Sequence, residues 1–157
     1  MEAVIFIGIQ GAGKSTFYRQ RFLRTHTRIS LDTLRTRRRE QLLVESCLKA
    51  GQPFVVDNTN SLRTDRARYI GPARRAGFRI IAYFFHVPLQ DAIRRNLQRE
   101  SEQKVPVAAL VSTFKKLQRP TLEEDFDKIY TVELTAENRF AVTSETASGE
   151  GKEQADK

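Results

Sequence analysis

Nine residues near the start of the chain carry the most specific chemistry. Gly8-Ile9-Gln10-Gly11-Ala12-Gly13-Lys14-Ser15-Thr16 has the spacing G-x-x-x-x-G-K-[ST]. Glycines at these positions let consecutive backbone N–H groups turn inward around an anion. A helix opening at Lys14 would add the partial positive charge of its N-terminus. Gly8, Gln10, Gly11, Ala12, Gly13, Lys14, Ser15 and Thr16 are therefore expected to wrap the phosphates of ATP or another nucleoside triphosphate. Lys14 would reach the β- and γ-phosphates, and the Ser15 hydroxyl would hold Mg2+.

Three further clusters bear on what is done with that triphosphate. In Ser30-Leu31-Asp32-Thr33-Leu34-Arg35 a strand gives way to a helix. Asp32 is there either as a plain helix cap or as the base that takes a proton from an acceptor hydroxyl. In Val56-Asp57-Asn58-Thr59-Asn60, Asp57 follows a buried apolar run. It reads as the acidic partner of Mg2+ or as an Asx turn into the next helix. In Arg94-Arg95-Asn96-Leu97-Gln98-Arg99, Arg95 and Arg99 lie one helical turn apart. They suit a clamp on a transferring phosphoryl group, or simply a solvated basic face.

The elements that must position these residues are legible as short apolar runs alternating with helical-period segments. Ala3–Ile7, Pro53–Val56 and Arg79–Val87 read as buried parallel strands, with weaker ones near Thr27–Ser30 and Lys128–Leu134. Helices are expected over Lys14–Arg24, Thr33–Ala50, Leu62–Ala76 (kinked at Gly71-Pro72), Leu89–Glu100 and Val107–Leu117. In the fourth, Leu89, Ile93 and Leu97 should face the core. The whole is an α/β three-layer sandwich with a five-stranded parallel sheet over residues 1–142. A small helical lid is expected at about 94–106. The segment from Thr143 to Lys157 is acidic and without periodicity, so it is expected to be disordered.

The chain resembles the 5′-hydroxyl polynucleotide kinase domain of the kinase–phosphatase end-repair enzymes. The likeness runs from the phosphate loop to about Leu134. It rests on GAGKST, the aspartate of SLDTLR, VVDNTN trailed by RARYI and RRAGF, RRNLQR, and PTLEEDF. The resemblance implies a P-loop kinase that uses ATP and Mg2+, with Asp32 as general base toward a 5′-hydroxyl. It implies Lys14 and Ser15 as phosphate and metal ligands, and Arg99 as the lid arginine on the phosphates with Arg95 beside it. Arg35 matches a substrate-phosphate arginine, and Asp57 an acidic residue of the acceptor-side pocket. Asn58 and Asn60 of the same stretch, with Arg63, are expected on that side too. Ser30-Leu31 stands where the family commonly has Asn-Arg. The sequence holds no D-x-D-x-T phosphatase motif, so the kinase half alone is expected.

Charge bears on the acceptor. Lys and Arg outnumber Asp and Glu by 27 to 19 in 157 residues, a net charge of +8 and a pI near 10.0. Such a balance favours an anionic partner. Arg35, Arg37, Arg38 and Arg39 should project beside Asp32, and Arg63, Arg66 and Arg68 should follow on the same rim, a track for the phosphates of a nucleic-acid strand. Tyr69 or Phe17 would be available for base stacking. His86 reads as a core residue and Cys47 as helix core. A small-molecule hydroxyl kinase of the same fold and a nucleotide-dependent nucleic-acid-binding module without transfer activity are the competing readings. No apolar run is long enough to span a bilayer, and Ala3–Ile9 lacks the basic lead-in of a secretory signal. The single cysteine excludes an internal disulfide and a multi-cysteine zinc site, and a cytoplasmic protein is expected.

Overall fold

The computed structural model describes residues 1–146 and 149–153. The chain runs β1 (Glu2–Ile7), α1 (Lys14–Arg21), β2 (Thr27–Ile29), α2 (Leu31–Leu34), α3 (Arg37–Ala50), β3 (Phe54–Asp57) and α4 (Arg63–Arg75). It continues with β4 (Arg79–Phe85), α5 (Leu89–Gln98), α6 (Val107–Lys116), β5 (Lys128–Leu134), β6 (Phe140–Thr146) and β7 (Gly149–Glu153). One sheet joins the strands in the order β2-β3-β1-β4-β5-β6-β7. The strands from β2 to β5 are parallel, with β1 at the centre between β3 and β4.

Alternation along the strands sorts the core into two layers. Ala3, Ile5 and Ile7 face Val44 and Cys47 of α3 and Tyr69, Ile70 and Ala73 of α4. Val4 and Phe6 face Phe17, Tyr18 and Phe22 around α1, together with Ala92 of α5. Phe6 and Phe17 meet edge-to-face at 5.8 Å, and Phe17 meets Phe140 at 5.1 Å. Because β1 crosses to β2 on one side while β4 lies on the other, a crevice opens at the carboxyl ends of β1 and β3. The loop at 8–16 and Asp57 both sit there, since the sheet register pairs Phe6 with Asp57.

Several expectations are corrected. The sheet is not limited to five parallel strands: β6 and β7 extend it with antiparallel pairs. Residues 143–146 and 149–153 therefore belong to strands rather than to a disordered tail. Phe140 and Val142, two residues apart, are buried on the same face of the sheet, and the β-branched Thr143 suits a strand. The disorder expected for residues 147–148 and 154–157 lies outside the described residues.

The helix expected over Thr33–Ala50 is two helices. Ser30 Oγ accepts from the Asp32 N–H and Thr36 Oγ1 from the Arg39 N–H, so each hydroxyl caps a new start. Arg35, between them, has φ 74°. The helix α4 runs through Pro72 without ending there. On α5, Leu97 is 61% exposed and Asn96 is buried instead. The Asn96 amide donates to the Val105 carbonyl at 2.6 Å and accepts from the Val105 N–H at 2.9 Å, tying down the turn at 99–104. On α6 only Leu110 is fully buried, while Val107 and Phe114 are exposed. His86 is exposed beside Glu133, and Cys47 is buried as expected.

Arg66 is also not on a rim. It is 0% exposed, and its Nε and Nη2 make a two-point pair with Glu124 at 2.8 and 2.9 Å. Its Nη1 donates to the carbonyls of Asn60 and Gln118 at 3.1 and 2.8 Å. It thus fastens the loop before α4 to the segment before β5. Arg66→Ala would leave Glu124 buried without its cation and should lower unfolding free energy by about 3–5 kcal/mol. Urea unfolding checks this; a change under about 1 kcal/mol would show that the pair is not a structural tie.

Candidate active site

The loop at 8–16 closes around two glycines held at positive φ. Gly11 (φ 79°) lies so near α5 that a Cβ would come 2.7 Å from the Ala92 carbonyl oxygen, and Gly13 (φ 92°) lies against the Phe140 ring. Side chains are excluded at both points by backbone strain and by contact. The Gly8 N–H donates to the Thr59 carbonyl at 3.0 Å, and Ala12 is buried with its N–H on the Ile9 carbonyl at 3.3 Å. Thr16 is exposed and accepts from Arg19 at 3.4 Å. Gln10 Oε1 is buried without a hydrogen-bond partner among the described residues.

Lys14 Nζ donates to the carbonyls of Gly8 and Ile9 at 2.8 and 3.0 Å. Burial lowers its pKa to about 8, against the attraction of Asp57, with Arg99 lowering it, Asp32 raising it and Arg28 lowering it in turn. The four groups named in that balance come from four places in the chain and converge on one ammonium. All four stand near enough to Lys14 to act on its charge.

Around it, Ser15 Oγ donates to Asp57 Oδ2 at 3.3 Å, and the Asp57 carboxylate is nearly buried. A hydroxyl and a carboxylate are hard oxygen donors of the kind Mg2+ takes, usually alongside substrate phosphates. Among the described residues no group of three or more His, Cys, Asp or Glu could hold an ion by itself. Asp32 is exposed at the start of α2, and no hydrogen bond of its carboxylate is found among the described residues. Arg95 donates to the Gly11 carbonyl at 3.4 Å, which places α5 directly on the loop. Arg99 is the residue that ends α5, not a member of its face. A cleft of about 510 Å3 lies beside this contact, lined by Arg94, Arg95 and Gln98 of α5 and by Leu134, Thr135 and Asn138 of the β5–β6 turn.

Other expected site residues are used in building the cleft. Asn58 Oδ1 accepts from the Leu31 N–H at 3.0 Å, and its amide donates to Glu40 Oε2 at 2.8 Å. Asn60, at φ 45°, donates to the Phe6 carbonyl at 2.8 Å and is buried. Arg63 donates to Thr121 at 2.8 Å and lies 3.7 and 3.8 Å from Glu124 and Glu123. These commitments take Asn58, Asn60 and Arg63 out of the acceptor contacts first expected of them. Arg35 remains exposed at its positive φ. Tyr69 and Phe17 are buried and offer no stacking face.

Sequence reading missed Arg28 and Glu40. Arg28 of β2 donates from Nε to Asp57 Oδ2 at 2.8 Å and from Nη2 to Ser15 Oγ at 3.1 Å. Glu40, almost fully buried, accepts from Tyr69 at 2.7 Å and from Arg37 at 2.9 Å. Burial and that carboxylate push the Tyr69 phenol up to about 12, so it stays a donor. Arg28 had no local signal, since Asp57 and Ser15 lie far from it along the chain. Glu40 had none, because its burial depends on the break at Arg35.

Among known proteins, the Bifunctional polynucleotide phosphatase/kinase of Schizosaccharomyces pombe is 27% identical over 134 residues, covering 82% of this chain and 32% of that protein. The chain thus spans about a third of the length of that curated relative. A gluconokinase from Sinorhizobium meliloti 1021 superposes with a TM-score of 0.57 at 18% identity, over 84% of this chain and 82% of that one. Kti12 of Chaetomium thermophilum, in complex with ADP-AlF3, does so with a TM-score of 0.61 at 15% identity, over 83% and 88% of the two chains. The fold is that of the P-loop kinases. A family model for an AAA domain matches residues 38–120, from α3 to beyond α6. With more than half of its length in that match, the chain belongs to the AAA domain family.

Proposed function

We propose that this chain is an ATP-dependent, Mg2+-dependent kinase that transfers the γ-phosphoryl group to the 5′-hydroxyl end of a polynucleotide. The observation that carries the reading is the phosphate loop itself, with Lys14 on its carbonyls, Ser15 bonded to Asp57 and Arg95 on the Gly11 carbonyl at its mouth. It is supported by the polynucleotide kinase named in the S. pombe relative and by the nucleotide in the Kti12 complex.

The chemistry follows from the placement. Lys14 leaves its two carbonyls for the β- and γ-phosphates. Ser15 and Asp57 would hold Mg2+, which would supply charge neutralisation on the phosphates. Asp32 orients the acceptor hydroxyl and takes its proton as the new bond forms. Arg95 and Arg99 stabilise the charge that spreads over the transferring group.

A second reading, a small-molecule acceptor, draws on one observation. Arg37, Arg63 and Arg66 are all engaged by internal carboxylates. The strand track is thereby reduced to Arg35, Arg38, Arg39 and Arg68.

Transfer of labelled γ-phosphate to a 5′-hydroxyl oligonucleotide, set against gluconate and other small hydroxyl acceptors, decides between them. Asp32→Asn should keep ATP affinity and lower turnover by about 10²-fold or more. Collapse of ATP affinity instead would make Asp32 a binding residue rather than the base. Arg99→Ala should cost at least about 10²-fold in turnover, the scale of one contact made mainly in the transition state. Arg94→Ala is the control, because Arg94 is exposed and paired with Asp91 at 3.3 Å. Equal losses at both would point to a general charge effect.

Lys14 yields a prediction in pH. Its folded pKa of about 8 lies below the ordinary 10.5, so between those values the unfolded chain holds more protons than the folded one. The Lys14 contribution therefore makes the nucleotide-free protein more stable as pH rises from about 8 toward 10. Bound phosphates restore the charge, so ATP binding at pH 8.5 should take up protons. Calorimetry in buffers of different ionisation enthalpy measures this, and no uptake would show that Lys14 does not meet the phosphates.

A further inference from the structure

The guanidinium of Arg28 sits where the divalent cation would go. Asp57 Oδ2 accepts from Arg28 Nε at 2.8 Å, lies 2.8 Å from Arg28 Nη2, and accepts from Ser15 Oγ at 3.3 Å. The same Nη2 donates to Ser15 Oγ at 3.1 Å. One fork-shaped cation thus spans both oxygens assigned above to Mg2+. The Asp57 side chain is only 2% exposed, so its charge is compensated from within the protein rather than by solvent.

Arg28 also has somewhere to go. It belongs to β2, the edge strand of the sheet, and its side chain is 30% exposed. In that same position its Cζ already lies 6.0 Å from the centroid of the Tyr18 ring, so the contact adds to the hold on the guanidinium. By contrast, Lys14 is held on the two loop carbonyls and does not neutralise Asp57 by contact.

We infer that Arg28 is a tethered cation that holds the divalent-metal position in the nucleotide-free protein, so that metal enters only together with nucleotide. The inference rests on the reading of Ser15 and Asp57 as the metal side of the site. A divalent ion arriving alone would have to displace a two-point guanidinium pair and shed water, for one carboxylate and one hydroxyl in return. Mg2+ gives up its water reluctantly and is usually held by one or two carboxylates together with phosphates. An arriving triphosphate changes both sides of that exchange. Its oxygens complete the coordination of the ion, and they offer Arg28 a new anionic partner. Arg28 is therefore a gate on the order of binding.

The test is a Mn2+ titration followed by the EPR signal of the free ion, using the full chain. Without nucleotide, wild type should leave Mn2+ free, whereas Arg28→Gln should bind it at least about tenfold more tightly, the effect of unseating one charge-assisted pair. Adding Asp57→Asn to Arg28→Gln should remove that gain. Equal Mn2+ affinity of wild type and Arg28→Gln without nucleotide would overturn the inference. Should Arg28→Gln fail to fold by circular dichroism, Arg28→Lys replaces it, since an ammonium lacks the fork that grips both oxygens. Affinity as low as wild type in that variant would overturn the inference equally. A parallel titration with a non-hydrolysable ATP analogue should bring wild type and variant to similar affinity. If wild type takes up no Mn2+ even then, the metal reading of Ser15 and Asp57 falls, and the gate with it; a failure confined to the nucleotide-free arm removes only the gate.

Discussion

The structure of the cleft depends on keeping one lysine charged, available and away from bulk water. Lys14 stands at the start of a helix, below two loop carbonyls and among two carboxylates and two guanidinium groups. Burial is the largest influence on it and disfavours the ammonium. Asp57 and Asp32 act to raise its pKa while Arg99 and Arg28 act to lower it, so three cationic groups share two carboxylates. A polyphosphate would relieve that imbalance. Placement of Asp57, Asp32, Arg28 and Arg99 is therefore an electrostatic requirement before it is a catalytic one.

The stretch from Asp57 to Asn60 is the splint that meets this requirement. It touches the loop through the Thr59 carbonyl and Gly8, the central strand through Asn60 and Phe6, and the helix α2 through Asn58 and Leu31. Behind Asn58, the buried Glu40 gathers the buried Tyr69 and the half-exposed Arg37 into one polar cluster. Every member has a partner, and that makes such a cluster tolerable in a low-dielectric interior. Since α2 has only four residues, it could not hold its own direction; the Asn58 contact at its first N–H does so.

The other wall of the cleft is set by close approach. Gly11 admits the α5 backbone, Arg95 reaches the Gly11 carbonyl, and Gly13 rests on Phe140 and Leu134. The antiparallel strand β6 therefore takes part in shaping the loop, because it brings Phe140 beneath it. Beyond the wall, Leu97, Val107 and Phe114 remain exposed on α5 and α6.

Local signals in the sequence determined the phosphate loop and the parallel strands that carry it. Glycine spacing and apolar runs act over a few residues, so they can be read without knowing the fold. What only the tertiary structure decided was which polar groups face the cleft and which hold it together. Asn58, Asn60, Arg63 and Arg66 look like an acceptor rim in one dimension, yet each finds a partner from a segment distant in sequence. Leu97 and Asn96 exchange the core and surface roles their types suggest, because an amide was needed to fasten Val105. The strands β6 and β7 escaped notice because a sheet edge supplies half of the hydrogen bonds that a polar segment needs to become a strand. Arg28 was invisible for the same reason: the partners of a strand side chain are chosen by the neighbouring strand and loop, which are far away along the chain.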